Sequence, residues 1–350
     1  MKKKHARVTQ QDIAREVGVT QATVSLVVAS RGATPRVSAE IARKILDVAR
    51  KRDYRPHPGA RQLAGKGSGM IGVMGGHLMD HFHCALIEGV ERTLAARGLT
   101  AFFGLSHGRT ENIERYLDEF RFRGVDGVLW LDPVLWDDVD LLRRCRESAP
   151  CAVYYTDRRD PEVCIVDADR VTAVRIAVRH LIEAGRKRIG LAAWTPHEGF
   201  EHSILPRREG YAQEIAVQGM SFDGELVFKC SHKPRFGMPS ERTIDRAIED
   251  LVREASADAI VAHDDYWAVQ LVRRMQMQGL RVPGDVAVIG MGNTPMAALT
   301  NPAITTVDQG VEKIAEPMVH LLQKMIEGQS APESERLVLV RPHLVVRESA

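Results

Sequence analysis

From Met70 onward the sequence repeats one unit, an apolar run of about 5–7 residues followed by an amphipathic stretch of about 10–15. "MIGVMGG" (70–76) opens the series, and a helical pattern from about His83 to Arg97 follows and stops at Gly98. "TAFFGLS" (100–106), a helix over 112–123, "VDGVLWL" (125–131), a helix over 136–148 and "CAVYYTD" (151–157) continue it. The pattern then restarts: helix 170–184, strand 188–194, helix 207–218, strand 226–230, helix 241–255, strand 259–264, helix 266–278 and strand 286–292. Strands alternating with helices predict parallel sheets covered on both faces, an α/β class. "RGVDGVLWLD" and "ASADAIVAHD" read alike, each a helix exit into a buried strand that ends on an acid. They point to two similar halves. Ligands in such sheets sit beyond the carboxyl ends of the strands, so two facing halves predict a cleft lined by those ends.

The first seventy residues do not share this pattern. Residues 1–68 hold 15 Lys/Arg against 5 Asp/Glu, a net +10, and the remainder of the 350-residue chain holds 33 against 41, a net −8. A small basic module on a larger acidic body points to a polyanionic partner; a merely solvated charged face is the competing reading. No apolar run reaches the roughly 18–20 residues that span a bilayer. The "MKKK" start lacks the apolar stretch of a signal peptide, because Gln10, Gln11, Asp12, Arg15 and Glu16 interrupt it. A cytoplasmic chain with no membrane partner is expected. The five cysteines, Cys84, Cys145, Cys151, Cys164 and Cys230, never form a C-x-x-C pair and read as reduced thiols.

Within the basic module, Thr9 is a candidate N-cap with Asp12 favouring the helix dipole. Ile13 and Val17 share a face, and Gly18 ends the helix. Thr20 caps a second helix with Val24, Val27 and Val28 on its apolar side, leaving Gln21, Ala22, Ser25 and Leu26 outward. A short helix, a glycine turn and a helix free of core duty at its start suit the major groove of DNA; an αα-hairpin without ligand has the same outline. A third helix from Ser38 to about Arg52 closes a small core through Ile41, Ile45 and Val48. In "RPHPGARQLAGKGSG" (55–69), Pro58 can begin a helix and Gly65 can end one. So short a helix is unstable alone, which makes it either a flexible linker or a segment that folds on a partner.

"VTQQDIAREVGVTQATVSLVV" with "RVSAEIARKILDVARKRDYRPHPGARQLAGK" closely resembles the DNA-binding headpiece of the lactose/purine repressor (LacI/GalR) family, over some sixty residues in order. The resemblance implies that the helix at 21–28 is the recognition helix, with Gln21, Ala22 and Ser25 at base-reading positions and Thr20 and Thr23 at phosphate-contacting ones. Thr9, Leu26, Tyr54 and Ala60 complete the implied DNA-binding set, together with Leu63. Residues 58–64 match a hinge helix whose leucine, here Leu63, wedges into the minor groove and kinks the duplex. Many members carry Arg where this chain has Leu26, and Leu26 can touch only apolar surface such as a thymine methyl.

"RHLIEAGRKRIGLAA", "RREGYAQEI", "RVPGDVAVIGMGN" and "NPAITTVDQ" extend the resemblance over nearly the whole chain. They imply a two-lobed core shared with periplasmic sugar-binding proteins, a homodimer, a near-palindromic double-stranded DNA operator and a small-molecule effector, a sugar or sugar derivative. The expected organisation is a helix–turn–helix headpiece at 1–57, a hinge at 58–69 and a core at 70–350. Its N-lobe is expected at about 70–162 and 294–327, and its C-lobe at about 163–291 and 330–347. Crossings between lobes are expected near 157–168, 291–295 and 326–335. In the cleft, Arg207 matches the family's effector-binding arginine, although a surface ion pair at a helix start is its ordinary alternative. Asp264 and Asp265 match an Asn-Asp pair, with Asp264 in place of Asn. Gly292 stands where many sugar-binding members have Asp. Two carboxylates suit a cationic or donor-rich effector; an acidic or phosphorylated one would lean on Arg207. Phe82, His83 and Trp130 are further cleft candidates, although Trp130, Trp194, Trp267 and Tyr155 can all serve ordinary packing.

No metal or cofactor is expected, since His77, His81, His83 and Cys84 fit no standard ligand spacing. No catalytic residue is expected either: the P-loop and H-E-x-x-H are both missing. The reading is a sequence-specific transcriptional regulator, a repressor controlled by an effector. The alternatives are a solute-binding protein or an α/β enzyme carrying a DNA-binding head.

Overall fold

The computed structural model describes residues 8–29, 34–54, 67–78, 81–132, 139–149, 151–153, 164–193, 201–228, 230, 238–329, 331–332 and 335–350. The chain divides into two compact units, Met1–Ser68 and Gly69–Ala350.

In the first unit, α1 (Gln10–Val17) starts at a capping box: the Asp12 backbone N–H donates to the Thr9 hydroxyl, and the Asp12 carboxylate accepts from the Thr9 N–H. Gly18 ends α1 at φ +79°, a left-handed conformation that costs glycine nothing. α2 (Gln21–Ala29) follows, with the Thr20 hydroxyl accepting from the Thr23 N–H, and α3 (Ala39–Lys51) is capped by Ser38. Ile13, Ala14, Val24, Val27, Ala42, Ile45 and Ala49 form the core. The sequence placed Ile41, Ile45 and Val48 in it; Ile45 is buried and Val48 packs half-buried against the core, whereas Ile41 is 38% exposed. The buried face of α3 instead runs 42–45–49, because the small Ala42 and Ala49 let the helices approach closely. The Arg52 guanidinium donates to Glu16 at 2.7 Å, tying the end of α3 to α1.

The second unit holds two sheets. The first contains β1 (Met70–Gly75), β2 (Thr100–Leu105), β3 (Gly127–Leu131), β4 (Cys151–Val153), β5 (Cys164–Ala168) and β10 (Leu337–Val340), in the order β10-β5-β4-β3-β1-β2, all parallel. The second contains β6 (Ile189–Ala192), β7 (Ala259–Ala262), β8 (Ala287–Met291), β9 (Thr305–Asp308) and β11 (His343–Val345), in the order β11-β9-β8-β7-β6, with only β11 antiparallel. One face of the first sheet packs on α4 (His81–Ala96) through Leu86, Val90 and Leu94, and the other on α5 (Thr110–Arg123) through Ile113, Leu117 and Phe120. α6 (Val139–Ser148) follows. The second sheet lies between α7 (Arg170–Glu183) with α8 (Glu201–Val217) on one side and α9 (Glu241–Ile248) with α10 (Asp265–Met277) on the other. α11 (Pro295–Ala298) and α12 (Ala315–Ile326) complete the set, and α12 returns to the first sheet through Met318 and Leu322. No helix among the described residues is long and apolar enough to cross a membrane.

Three sequence expectations are corrected. Among the described residues of 226–230 there is no strand; a 3-10 turn (Gly224–Leu226) leads to one bridge between Val227 and Leu191. The lobes exchange chain at 168–170, 308–311 and 340–343 rather than near 157–168, 291–295 and 326–335. β9 prolongs the second sheet beside β8, so residues up to Asp308 belong to the C-lobe. Pro342, unable to donate to a ladder, separates the two halves of "LVLVRPHLV": β10 pairs with β5 and β11 with β9.

Candidate functional site

The headpiece offers its second helix. Gln21 and Ala22 are exposed, while Thr23, Ser25 and Leu26 are half-buried at the margin of the core. α2 carries no charged residue; exposed cations of the same unit stand on α1 at Arg15 and on α3 at Arg43, Lys44, Arg50 and Lys51. Thr20 is exposed and its hydroxyl lies 2.8 Å from that of Thr23, placing two hydroxyls at the positively polarised start of the helix. Thr9 is exposed at the start of α1, and Tyr54 packs half-buried against the headpiece core. Ala60 and Leu63 lie outside the described residues.

In the core, polar and charged groups gather at and just after the carboxyl ends of β5, β7 and β8. β5 ends in Asp167 and Ala168, and α7 begins at Arg170 directly after the crossing. The Asp167 carboxylate receives the Ala168 N–H at 2.6 Å and Nη1 of Arg170 at 2.6 and 2.5 Å. One residue of this pair stands on a strand of the first sheet and the other opens a helix of the second, so the pair ties the lobes at their first crossing. Burial raises the Asp167 carboxyl to about 6, against the opposing pull of the guanidinium.

Arg207 reaches the same place by a different route. A Cβ at Gly210 would lie 2.4 Å from the carbonyl oxygen of Val171, so only glycine lets α8 approach the first turn of α7 this closely. That contact brings Arg207, one turn earlier on α8, towards Arg170, the neighbour of Val171. Arg170 is 6% and Arg207 5% exposed. His263 follows β7, with its N–H donating to the carbonyl of Ala192 at the end of β6. Burial, then Arg207 and Arg170, hold its imidazole well below the usual range and therefore neutral.

The two aspartates expected in the cleft are placed differently. Asp265 is 0% exposed, and its carboxylate accepts from the Thr294 N–H at 2.6 Å and the Thr306 hydroxyl at 2.5 Å. A Cβ at Gly290 would lie 2.4 Å from one of its oxygens, so the sheet makes room for that carboxylate. Asp265 thus fastens α10 to the loop after β8 and to β9, inside the lobe. Asp264 caps α10 by accepting the Trp267 N–H at 2.8 Å. Trp130 is 0% exposed and packs among Met74, Ile113, Leu117, Phe120 and Val128, which gives it a core role rather than a cleft one. Trp267 is likewise in the core, whereas Trp194 and Tyr155 lie outside the described residues. Phe82 and His83 are half-buried at the start of α4, their rings 5.8 Å apart edge to face. Asp167, Arg170 and His263 were missed in the sequence. The available signal was a charged pair three residues apart in "CIVDADR", where a buried apolar strand runs into a helix cap.

Residues 9–57 match the bacterial regulatory proteins of the lacI family, and residues 178–350 match the periplasmic binding protein-like domain. Catabolite control protein A of Staphylococcus xylosus is 26% identical over 339 residues, 97% of each chain. The HTH-type transcriptional repressor CytR of Escherichia coli (strain K12) is 26% identical over 96% of this chain and 95% of its own. Among solved structures, a transcriptional regulator CelR–cellobiose complex aligns with TM-score 0.70 and 25% identity over 98% of this chain and 100% of the other. The lac repressor dimer bound to operator and the anti-inducer ONPF aligns with TM-score 0.79 and 22% identity over 98% and 99%, a likeness of fold. A helix–turn–helix unit that matches the lacI family of bacterial regulatory proteins over residues 9–57 is thus joined to a two-sheet core that matches the periplasmic binding protein-like domain over residues 178–350, and proteins named as transcription regulators align with almost the whole chain.

Proposed function

We propose that the protein is a cytoplasmic repressor without catalytic activity. As a homodimer it grips a near-palindromic operator through α2, and it adjusts that grip when a small effector binds between the core lobes. The observation that carries this reading is the division of labour along α2: Val24 and Val27 are buried while Gln21 and Ala22 are exposed at its start. An amide at Gln21 suits an adenine edge, and Ala22 and Leu26 suit thymine methyls, so the half-site is expected to be rich in A·T where α2 docks. Tyr54, Thr9, Thr20 and Thr23 would hold the phosphates, and Ala60 and Leu63 would enter the minor groove from the hinge. In the cleft, Arg207 is the effector residue this reading relies on most, with Phe82 and His83 covering the ligand from the first lobe. Lobe closure would change the separation of the two hinges in the dimer, and the effector releases or recruits DNA according to which arrangement it prefers.

The test is a salt series on duplex fragments from the protein's own promoter region. Log affinity should fall linearly with log salt, with a slope of roughly −0.9 per phosphate contacted. Leu63→Ala should weaken operator binding far more than binding to unrelated duplex. A flat salt dependence, or equal losses on both DNAs, contradicts the assignment.

A further inference from the structure

We propose that the first crossing is a proton-sensitive hinge: with Asp167 neutral the lobes keep the arrangement described here, and with Asp167 ionised they favour one in which its pair with Arg170 meets water. This rests on the two-lobe regulator reading above and adds the proton as a second input to it. Asp167 stands near the end of β5 in the first sheet and Arg170 opens α7 on the second, so their ion pair spans the stretch at which the chain changes lobe. Asp167 is 8% and Arg170 6% exposed. The three crossings are laced together. The Asp169 N–H donates to the carbonyl of Val340 at 3.0 Å, joining the first to the third. Gly310, in the second, lies so close to the third that a Cβ would stand 2.7 Å from Cγ1 of Val340. Movement at the first crossing therefore carries the other two.

The groups around Asp167 set the direction of the response. Burial opposes its charge, and Arg170 on α7, the Ala168 N–H and Arg207 on α8 favour it; burial prevails and lifts the carboxyl to about 6. On β10 the residue in register with it is the apolar Leu339. His263, after β7, is held neutral by burial and by the same two arginines, so it does not titrate in this window. Asp169, the next acid along the crossing, is turned to α7, where it accepts from the Thr172 N–H and hydroxyl. The charged residues at 157–162, ahead of β5, lie outside the described residues. An arrangement that hydrates Asp167 returns its carboxyl towards the ordinary value of 3.8 and so prefers the carboxylate. Protonation below about pH 6 thus favours the buried crossing, and ionisation above it favours the hydrated one, the kind of population shift that a ligand produces.

Full-length wild type and Asp167→Asn are compared from about pH 5 to about pH 7.5. Asparagine has nearly the shape of aspartate and stays neutral throughout. Hydrogen exchange over residues 164–172, corrected for the intrinsic effect of pH, should be at least about threefold faster in the wild type at the higher pH than at the lower, and unchanged in Asp167→Asn. Operator affinity is read by anisotropy on a labelled duplex from the promoter region, and the ratio of the two Kd values cancels titrations elsewhere in the chain. That ratio should be about one at the lower pH and should reach at least about threefold at the higher, with its midpoint near 6. The inference is overturned if the two proteins show the same dependence of exchange on pH, or if the Kd ratio stays constant while both bind operator. Should Asp167→Asn fail to fold, the wild-type exchange profile decides, and protection over 164–172 that stays constant through pH 6 overturns the inference. A protein that ignores the duplex at every pH overturns the proposed function instead, and exchange alone then decides the hinge.

Discussion

The headpiece and the core solve opposite problems. In the headpiece, seven buried side chains hold three helices and the residues offered to DNA stand outside that core, exposed or at its margin. At the first crossing of the core, the charged groups are themselves buried: Asp167 and Arg170 are inside and paired, and Arg207 is inside on a helix held by close backbone approach. A surface that meets a large, hydrated polyanion can present side chains to solvent until the partner arrives. A cleft that discriminates small molecules needs its donors fixed beforehand in low dielectric, where each is worth more. Substitutions should therefore separate cleanly in the headpiece and remain entangled in the cleft.

The largest expected effect comes from Ile45→Ala. Ile45 is fully buried in a core of only seven residues, and the truncation costs about 2–5 kcal/mol. Operator binding should fall more than 100-fold while effector binding changes less than twofold, read by anisotropy and calorimetry; parallel losses in both would break the comparison. Gly210→Ala comes next. Its Cβ would collide with the Val171 carbonyl and push α8 from α7, at about 1–3 kcal/mol of stability. Unlike a headpiece change, it should lower thermal stability and effector affinity together, since Arg207 rides on the same helix.

Asp167→Asn probes the buried pair through pH. Burial raises the Asp167 carboxyl from its ordinary value to about 6, so the folded chain binds this proton more tightly than the unfolded one. The contribution is fully present below the unfolded value near 3.8 and is lost as pH rises through about 6. The stability of the wild type relative to Asp167→Asn should thus decline between about pH 4 and 6, as followed by denaturant titration. A difference that rises over the same window would contradict the burial argument. Glu214 has the opposite sign: the hydrogen bond from Arg179 leads the groups that hold it down at about 2, so its contribution is lost as pH falls below the ordinary carboxylate value. The smallest effect is Thr9→Ala, which removes a capping box for about 1 kcal/mol. It should lower headpiece stability, seen by hydrogen exchange in α1, with effector affinity untouched.

The same contrast explains what could be read from the sequence. Thr9, Asp12, Gly18 and Thr20 act on neighbours within four residues, so their capping and turn roles are local and legible. The identity of the buried stripe on α3 was less so: alanine at 42 and 49 looks neutral, and only the distance between helices makes it core. In the large unit, strand order and the sites of crossing depend on pairings made far along the chain. The expected N-lobe at 294–327 takes in "TTVD" (305–308), which is a strand of the second sheet, and "LVLVRPHLV" serves both sheets. Resemblance indicated Arg207, but not that Asp265 would turn inward to Thr306, 41 residues away. Nor did it indicate that Gly210 would let α8 meet the backbone of Val171 at the start of α7.

The central claim is that a small molecule between the lobes changes the hold on DNA. The direct measurement is an anisotropy titration of the full chain on a labelled duplex from its promoter region, repeated across concentrations of a ligand whose binding calorimetry has established. The account predicts at least a tenfold change in operator Kd at saturation, lost in Arg207→Ala. An operator Kd that stays constant while the cleft is demonstrably full would contradict it.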